Sequence, residues 1–453
     1  MNSGSASVAA PRFANAVLRY PALFAYGLFG MPLAMAALPL YVHLPKFYGD
    51  HLGVPLAALG GMLLVLRLAD GVLDPLLGAW SDRARSRKRL IALAVPLLAI
   101  GMAALFAPQV EGHAALLVWL GVALAAVYFA FSLATINHNA WGAELSADPV
   151  ERTRITAVRE GLALLGVVIA SIAPALMGGD GGEAMGLPRF AFAFALLLFA
   201  CAAITLTAAP AVERVPDRRG FMFAEMAAPL ADPMFRRLLA TFMANGIASA
   251  IPATLVLFYI ADVLQAEARQ GLFLALYFIA GAAGMPLWLR LSARIGKVRA
   301  WGVAMVVAIV AFVWAAFLGA GDATAFAIVC ALSGLALGAD LALPPSLLAD
   351  VIGRDGRMHA TGAYFGLWTL ATKLNLALAA GIALPLLGAL GYTPGARDAA
   401  AVHALALIYA AAPCLLKLGA ICALYWFHRQ WRTTMPESQP STSDATPSHG
   451  ARA

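Results

Sequence analysis

Apolar residues run along this chain in blocks long enough to cross a bilayer, separated by short polar breaks. Twelve such runs begin near Ala22, Pro55, Ile91, Ala114, Thr156, Phe190, Leu238, Gly271, Trp301, Ala323, Gly362 and Ala401. A run of about 20 apolar residues spans the hydrocarbon core as a helix. The expected fold is therefore an all-α membrane protein. The longest break, Glu213 to Arg237, divides the runs six and six. That division predicts an N-terminal segment 1–20, a first six-helix bundle 21–212, a central loop 213–237, a second bundle 238–427 and a disordered tail 428–453. The loop contains ERVPDRRG and a mixed, amphipathic stretch, FMFAEMAAPLADPMF; the tail is rich in Ser, Thr and Pro.

Composition agrees with the pattern. The 453 residues are 62% hydrophobic and only 12% charged, with mean hydropathy +0.81. Soluble chains average about 25% charged residues. The net charge of +7 need not indicate nucleic-acid binding, because Lys and Arg gather in cytoplasmic loops of membrane proteins. Here they gather in alternate breaks, such as Arg83 to Arg89, Arg152 and Arg154, Arg290 to Arg299, and Arg354 and Arg357. That alternation puts both termini in the cytoplasm. The N-terminus lacks a cleavable signal pattern. Cys201, Cys330, Cys414 and Cys422 show no metal-ligand spacing and read as free, buried thiols. With no Walker motif, HExxH or GxSxG, a membrane enzyme is disfavoured.

A few ionisable residues interrupt the spans. The segment RLADGVLDPLLGAWSDRARSRKRL carries Asp70 and Asp74 four residues apart, on one helix face, with Arg67 near the same stripe. A charge at the bilayer centre costs roughly 2.5 kcal/mol or more, so such residues mark an ion or substrate path or pair with each other. Two carboxylates one turn apart repel unless they share a proton or a cation. The plainer alternative is a structural ion pair with Arg67 or with Lys373. Lys373, in LWTLATKLNLALAAG, lies too far from either helix end to reach water. Lys417, nearer the end of its span, is expected to snorkel. Arg159 and Glu160 lie early in the fifth span. Asp340 precedes Pro344 and Pro345, which should break or kink the tenth. Asn137, His138 and Asn139, followed by Trp141, offer amides, a titratable ring and an indole for a polyol, or else interhelical hydrogen bonds.

Three stretches together resemble the glycoside–pentoside–hexuronide:cation symporters, the melibiose-permease-like branch of the major facilitator superfamily. They are RLADGVLDPLLGAWSDRARSR, NAWGAELSADPVERTRITAVRE and LLADVIGRDGRMHATGAYFGLWTLATKLNLALAAGIALPLLGALGY, and the resemblance covers nearly the whole chain. It implies two pseudo-symmetric six-helix bundles with the binding site between them. It also implies that Asp70 and Asp74 are cation-site carboxylates, that Lys373 faces them from the second half, and that Trp141 and Arg159 line a sugar pocket. GAWSDRARSRKR matches the superfamily's gate loop. Candidate gating residues are accordingly Arg67, Asp82, Arg83 and Arg87.

Departures from the branch matter. Met31 and Pro32 stand where it carries a Lys–Asp pair in the first helix, Asn137 where it has an aspartate, and Leu73 where it has a polar residue. These changes weaken the case for galactosides and for Na⁺, which wants several oxygen ligands. Asn137 stays a candidate for both cation and substrate, and His138 and Asp340 for substrate. Asp70 and Asp74 would hold a metal ion only if the coupling ion is Na⁺.

The expected function is symport of a small polar solute, a sugar or glycoside, with H⁺ or Na⁺, in a bacterial inner membrane. No cofactor is expected. The expected partners are the substrate and the lipid bilayer, with no nucleic acid, and the chain should act as a monomer. Alternatives are an organic anion or lysolipid-like amphiphile on the same fold, or a non-transporting membrane sensor or assembly factor.

Overall fold

The computed structural model describes residues 18–179, 182–212, 226–354, 357–392, 395 and 397–434. The described chain is helical, as lipid demands. With no water to satisfy backbone N–H and C=O groups, a spanning segment must satisfy them within itself. The twelve long helices among the described residues are α1 (Tyr20–Ala37), α2 (Leu56–Asp82), α3 (Arg87–Phe106), α4 (His113–Glu144), α5 (Pro149–Gly178) and α6 (Gly182–Ala208) in the first half. The second half holds α7 (Pro233–Phe258), α8 (Gln270–Ile295), α9 (Lys297–Val313), α10 (Ala323–Arg354), α11 (Thr361–Ala389) and α12 (Ala399–Thr434). All except α2 are among the 11 helices long and apolar enough to cross a membrane, α2 being the helix that carries the acidic pair. Large apolar side chains on the outside, such as Leu68, Val72 and Ile100, face where lipid would lie.

Each half repeats a plan. The first helix of each ends in π-helical turns, Pro39–His43 and Phe47–His51 in one half and Tyr259–Val263 in the other. A buried tyrosine then ties each to the end of the third helix of its half. Tyr48 donates to the Leu105 carbonyl at 3.0 Å, and Tyr259 to the Ala315 carbonyl at 2.6 Å. Outside that repeat, aspartates cap α5 and α7 at the basic end: Asp148 accepts from the Val150 amide and Asp232 from the Met234 amide, each followed by a proline at N1.

Two sequence expectations change here. Pro344 and Pro345 do not break α10, which runs continuously from Ala323 to Arg354. Each proline removes one amide and leaves a carbonyl one turn earlier without its helical donor, at Asp340 and Leu341. Packing against neighbouring helices lets a spanning helix tolerate that. The last helix also continues beyond 427 to Thr434, held by the stack of Phe427 on Trp431 and by Arg354 over the Trp431 ring. Residues 435–453 and 213–225, with most of the expected loop, lie outside the described residues.

The halves meet along two seams. On one, α2 and α11 approach backbone to backbone: a Cβ added at Gly78 would lie 2.1 Å from the Gly362 carbonyl oxygen. On the other, Ala157 and Leu164 of α5 pack with Met285 of α8 and Ala342 of α10.

Candidate functional site

The acidic pair sits where its spacing predicts. Leu68 and Val72 give α2 an exposed face, and the opposite face carries Asp70 and Asp74, 5% and 0% exposed. That face looks at α11 across the first seam. Lys373, near the middle of α11, forms an ion pair with Asp70 and lies 2.8 Å from an oxygen of Asp74. Ser132 of α4 completes the group. Its hydroxyl donates to Asp70 at 2.9 Å and accepts from Lys373 at 3.1 Å. Asp74 is wholly buried, and the Lys373 ammonium is the charge that faces it. One ammonium of the second half thus serves two buried carboxylates of the first. A cation or proton arriving at the carboxylates would compete directly with that ammonium.

The basic end is closed by two clasps. In the first, Asp82 at the end of α2 accepts the opening amides of α11, from Gly362 at 2.7 Å and Ala363 at 2.8 Å. A carboxylate at a helix N-terminus meets unsatisfied N–H groups and the positive end of the dipole. Arg87 of α3 secures this carboxylate, donating to Asp82 at 2.6 Å, Glu144 at 3.0 Å, Ser81 at 2.5 Å and Asn137 at 3.3 Å. In the second clasp, Arg152 of α5 bonds Asp350 of α10 at 3.1 Å, Lys297 pairs with the same carboxylate, and Thr153 meets Ser346 at 3.0 Å.

Several expected site residues fall elsewhere. Asn137 sits on α4 five residues nearer the basic end than Ser132, about 7–8 Å along the axis. It bonds Arg87 and its own Leu133 carbonyl, and so joins the first clasp rather than the carboxylates. His138 and Trp141 are buried inside the first half. His138 meets the Tyr26 carbonyl at 2.9 Å, and the Trp141 indole donates to the Pro210 carbonyl at 3.1 Å with Lys88 over its ring. Arg159 is 5% exposed and donates to Glu160 at 2.5 Å. Leu73, one turn from Asp70, is 40% exposed and takes no part in the ion pairs of Lys373. Arg67 lies 15 positions up α2 from Asp82, roughly 22 Å away, at the level of the acidic pair rather than the clasps. Arg83 caps the C-terminus of α2.

Lys417 does not snorkel. It is 7% exposed, donates to Asn245 at 2.7 Å and pairs with Asp340 at 3.1 Å. The Trp301 indole donates to the other Asp340 oxygen at 2.8 Å. This second Lys–Asp pair lies wholly inside the second half, at one side of a cavity of about 190 Å³ lined by Phe273, Tyr277, Phe312, Ser333 and Tyr409. Ser132, Glu144, Asn245 and Trp301 had no sequence signal of their own. A lone hydroxyl or amide in a span bonds its own helix as readily as a neighbour, and only the fold shows which.

Two six-helix halves, closed at one end over a shared ion cluster, define a secondary transporter of the major facilitator superfamily. The protein is not an enzyme. The model of the family described as MFS/sugar transport protein matches residues 23–429, and the chain belongs to that family. It is 29% identical over 165 residues to an uncharacterized symporter of Synechocystis, covering 34% of this chain and 30% of that one. It is 26% identical over 143 residues to the inner membrane symporter YicJ of Escherichia coli, covering 30% and 31%. The matched stretches thus span about a third of either relative. Both fit the resemblance to the glycoside–pentoside–hexuronide:cation symporters. Among solved structures, a bacterial homologue of the iron transporter ferroportin in its outward-facing state has TM-score 0.65 at 16% identity, covering 91% of this chain and 100% of that one. A variant of the Escherichia coli fucose:proton symporter has TM-score 0.65 at 13% identity, covering 90% and 97%. At such identities they show the fold alone.

Proposed function

We propose that the protein is a cation-coupled symporter that carries a sugar or glycoside by alternating access, in an inner membrane with both termini and the clasped, basic end in the cytoplasm. The carrying observation is the buried cluster of Asp70, Asp74, Lys373 and Ser132, built across the two halves. In the empty carrier, Lys373 bridges the acidic pair and helps hold α2 to α11. A cation bound at the carboxylates frees Lys373 and weakens that seam, so that solute and cation together license the rocking of the halves.

The coupling ion in this reading is H⁺. Asn137 is engaged by Arg87, and Ser132 is the one side-chain oxygen beside the carboxylates among the hydrogen bonds described there. That is a thin shell for Na⁺, whereas a proton needs one carboxylate. The named symporter relatives support coupled transport in general terms. The test is uptake of a panel of labelled sugars into proteoliposomes under imposed pH or Na⁺ gradients. Accumulation driven by a pH gradient without Na⁺ supports the reading; a saturable Na⁺ requirement at fixed pH refutes the choice of ion, and no gradient-driven uptake of any sugar refutes the cargo.

One observation favours a second cargo. The second-half cavity is mostly aromatic and aliphatic, with its charges at one side. Such a lining suits an amphiphile or organic anion, and uptake of a lysolipid in preference to any sugar would select that reading.

A further inference from the structure

The basic end holds a larger cavity than the one beside Asp340. It has a volume of about 810 Å³ and lies over the second clasp, among α5, α8, α9, α10 and α12. Six cationic side chains line it: Arg152 and Arg154 from the first half, and Arg290, Lys297, Arg299 and Arg354 from the second. Among the described residues Asp350 is the one carboxylate of the lining, and it is shared between Arg152 and Lys297. Arg154 is matched by Glu151, and Arg354 lies over the Trp431 ring. Arg290 and Arg299 are exposed and have no ion pair among the described residues. The tendency of cytoplasmic loops to be basic accounts for the abundance of cations. It does not account for their convergence from both halves on one concavity with so little negative charge.

We propose that this cavity is a binding site for a phosphate-bearing anion, and that its occupant holds the basic end closed. Guanidinium groups match phosphate oxygens two at a time. The volume exceeds a single phosphate and suits a diphosphate or an anionic lipid headgroup, as basic pockets between spanning helices do. Arg152 and Arg154 move with the first half and the other four cations with the second. One anion contacting both groups therefore favours the state in which they are close, and its binding shifts the carrier toward that state. The solute is not involved, so the proposal stands or falls separately from the choice of cargo.

The test uses the full chain purified in a neutral detergent. Thermal unfolding is followed with added inorganic pyrophosphate, with phosphatidylglycerol, and with phosphatidylcholine as the uncharged lipid control. An occupant that binds the folded protein raises the midpoint. The expected result is a rise of several degrees with an anion and none with phosphatidylcholine, reduced by roughly half or more in Arg290→Gln/Arg299→Gln. Arg85→Gln/Arg89→Gln removes the same charge from another basic turn and should keep the full shift. A response to pyrophosphate identifies a soluble anion; a response to phosphatidylglycerol alone identifies a lipid headgroup. Spin labels at Ala147 and Ala293, exposed on the two sides of the cavity, should gain short-distance population when the anion is present. Absence of any anion shift, equal loss in both double variants, or an unchanged distance distribution would overturn the proposal.

Discussion

Two of the buried Lys–Asp clusters among the described residues, those of Lys373 and Lys417, differ in what they connect. Lys373 joins carboxylates on α2 to its own helix α11, across the boundary between the halves. Lys417 joins α12 to Asp340 on α10, within one half. The proposed rocking of the halves would alter the first pair and could leave the second unchanged. A buried ion pair contributes little net stability over an apolar replacement, yet breaking one by removing a single partner costs about 3–5 kcal/mol. The same chemistry can therefore sense a cation in one place and stiffen a bundle in the other. What separates the two is whether the bonded helices move together.

The largest expected effect tests the crossing pair. Asp70→Asn or Asp74→Asn should abolish gradient-driven accumulation while leaving expression intact, read by uptake into proteoliposomes. Asp340→Asn/Lys417→Gln, which removes both charges of the inner pair, should retain accumulation. Loss of coupling in the inner double variant but not in the Asp70 or Asp74 variants would reverse the comparison.

Next comes the partner lysine. Lys373→Ala leaves two carboxylates without their ammonium and should be inactive and destabilised by about 3–5 kcal/mol. Adding Asp70→Asn should recover stability, and with it facilitated, uncoupled flux. Lys417→Ala should be destabilised similarly and rescued by Asp340→Asn. Its rescue should restore coupled transport, because no inter-half contact is lost. Thermal unfolding and counterflow assays separate the two patterns.

A smaller effect concerns close approach. Gly78→Ala places a methyl group against the Gly362 backbone on the seam, so it should prop the basic end open and shift cysteine accessibility there. Gly334→Ala meets the Tyr277 backbone inside the second half, where an added Cβ would lie 2.3 Å from its carbonyl oxygen. That variant should lower stability without changing which end is open. Gly61→Ala, with nothing within 4 Å, serves as the neutral control.

The smallest effect is at the first clasp. Asp82→Asn keeps the shape but loses the charge that meets the α11 amides and Arg87. It should weaken closure by about 1–3 kcal/mol and raise accessibility at the basic end, without abolishing binding of solute.

Sequence pattern alone made the spans, the division into halves and the acidic pair legible, because lipid imposes length and hydropathy on any crossing segment. The interval of four between Asp70 and Asp74 also fixed their common face, since helix geometry is local. Lys373 could be matched to them only through position in its span and family resemblance. Other residues were legible as polar but not as partners. His138 and Trp141 carry groups suited to a sugar, yet α4 turns them into the first-half interior, toward α1 and the Pro210 carbonyl. Lys417 looked long enough to reach an interface, yet the α10–α12 packing supplies Asp340 and Asn245 first. Periodicity says which residues share a face; it does not say which helix that face meets.

By itself, the sequence determined a twelve-helix membrane protein with a costly acidic pair on one side of its second span, because those properties follow from composition and from spacing within single helices. Only the tertiary structure decided that Ser132 joins the pair, that Asn137 belongs to the Arg87 clasp, and that one lysine crosses the halves while the other stays within one. Each of those outcomes depends on contacts between segments distant in sequence, and on which of those segments move as one body.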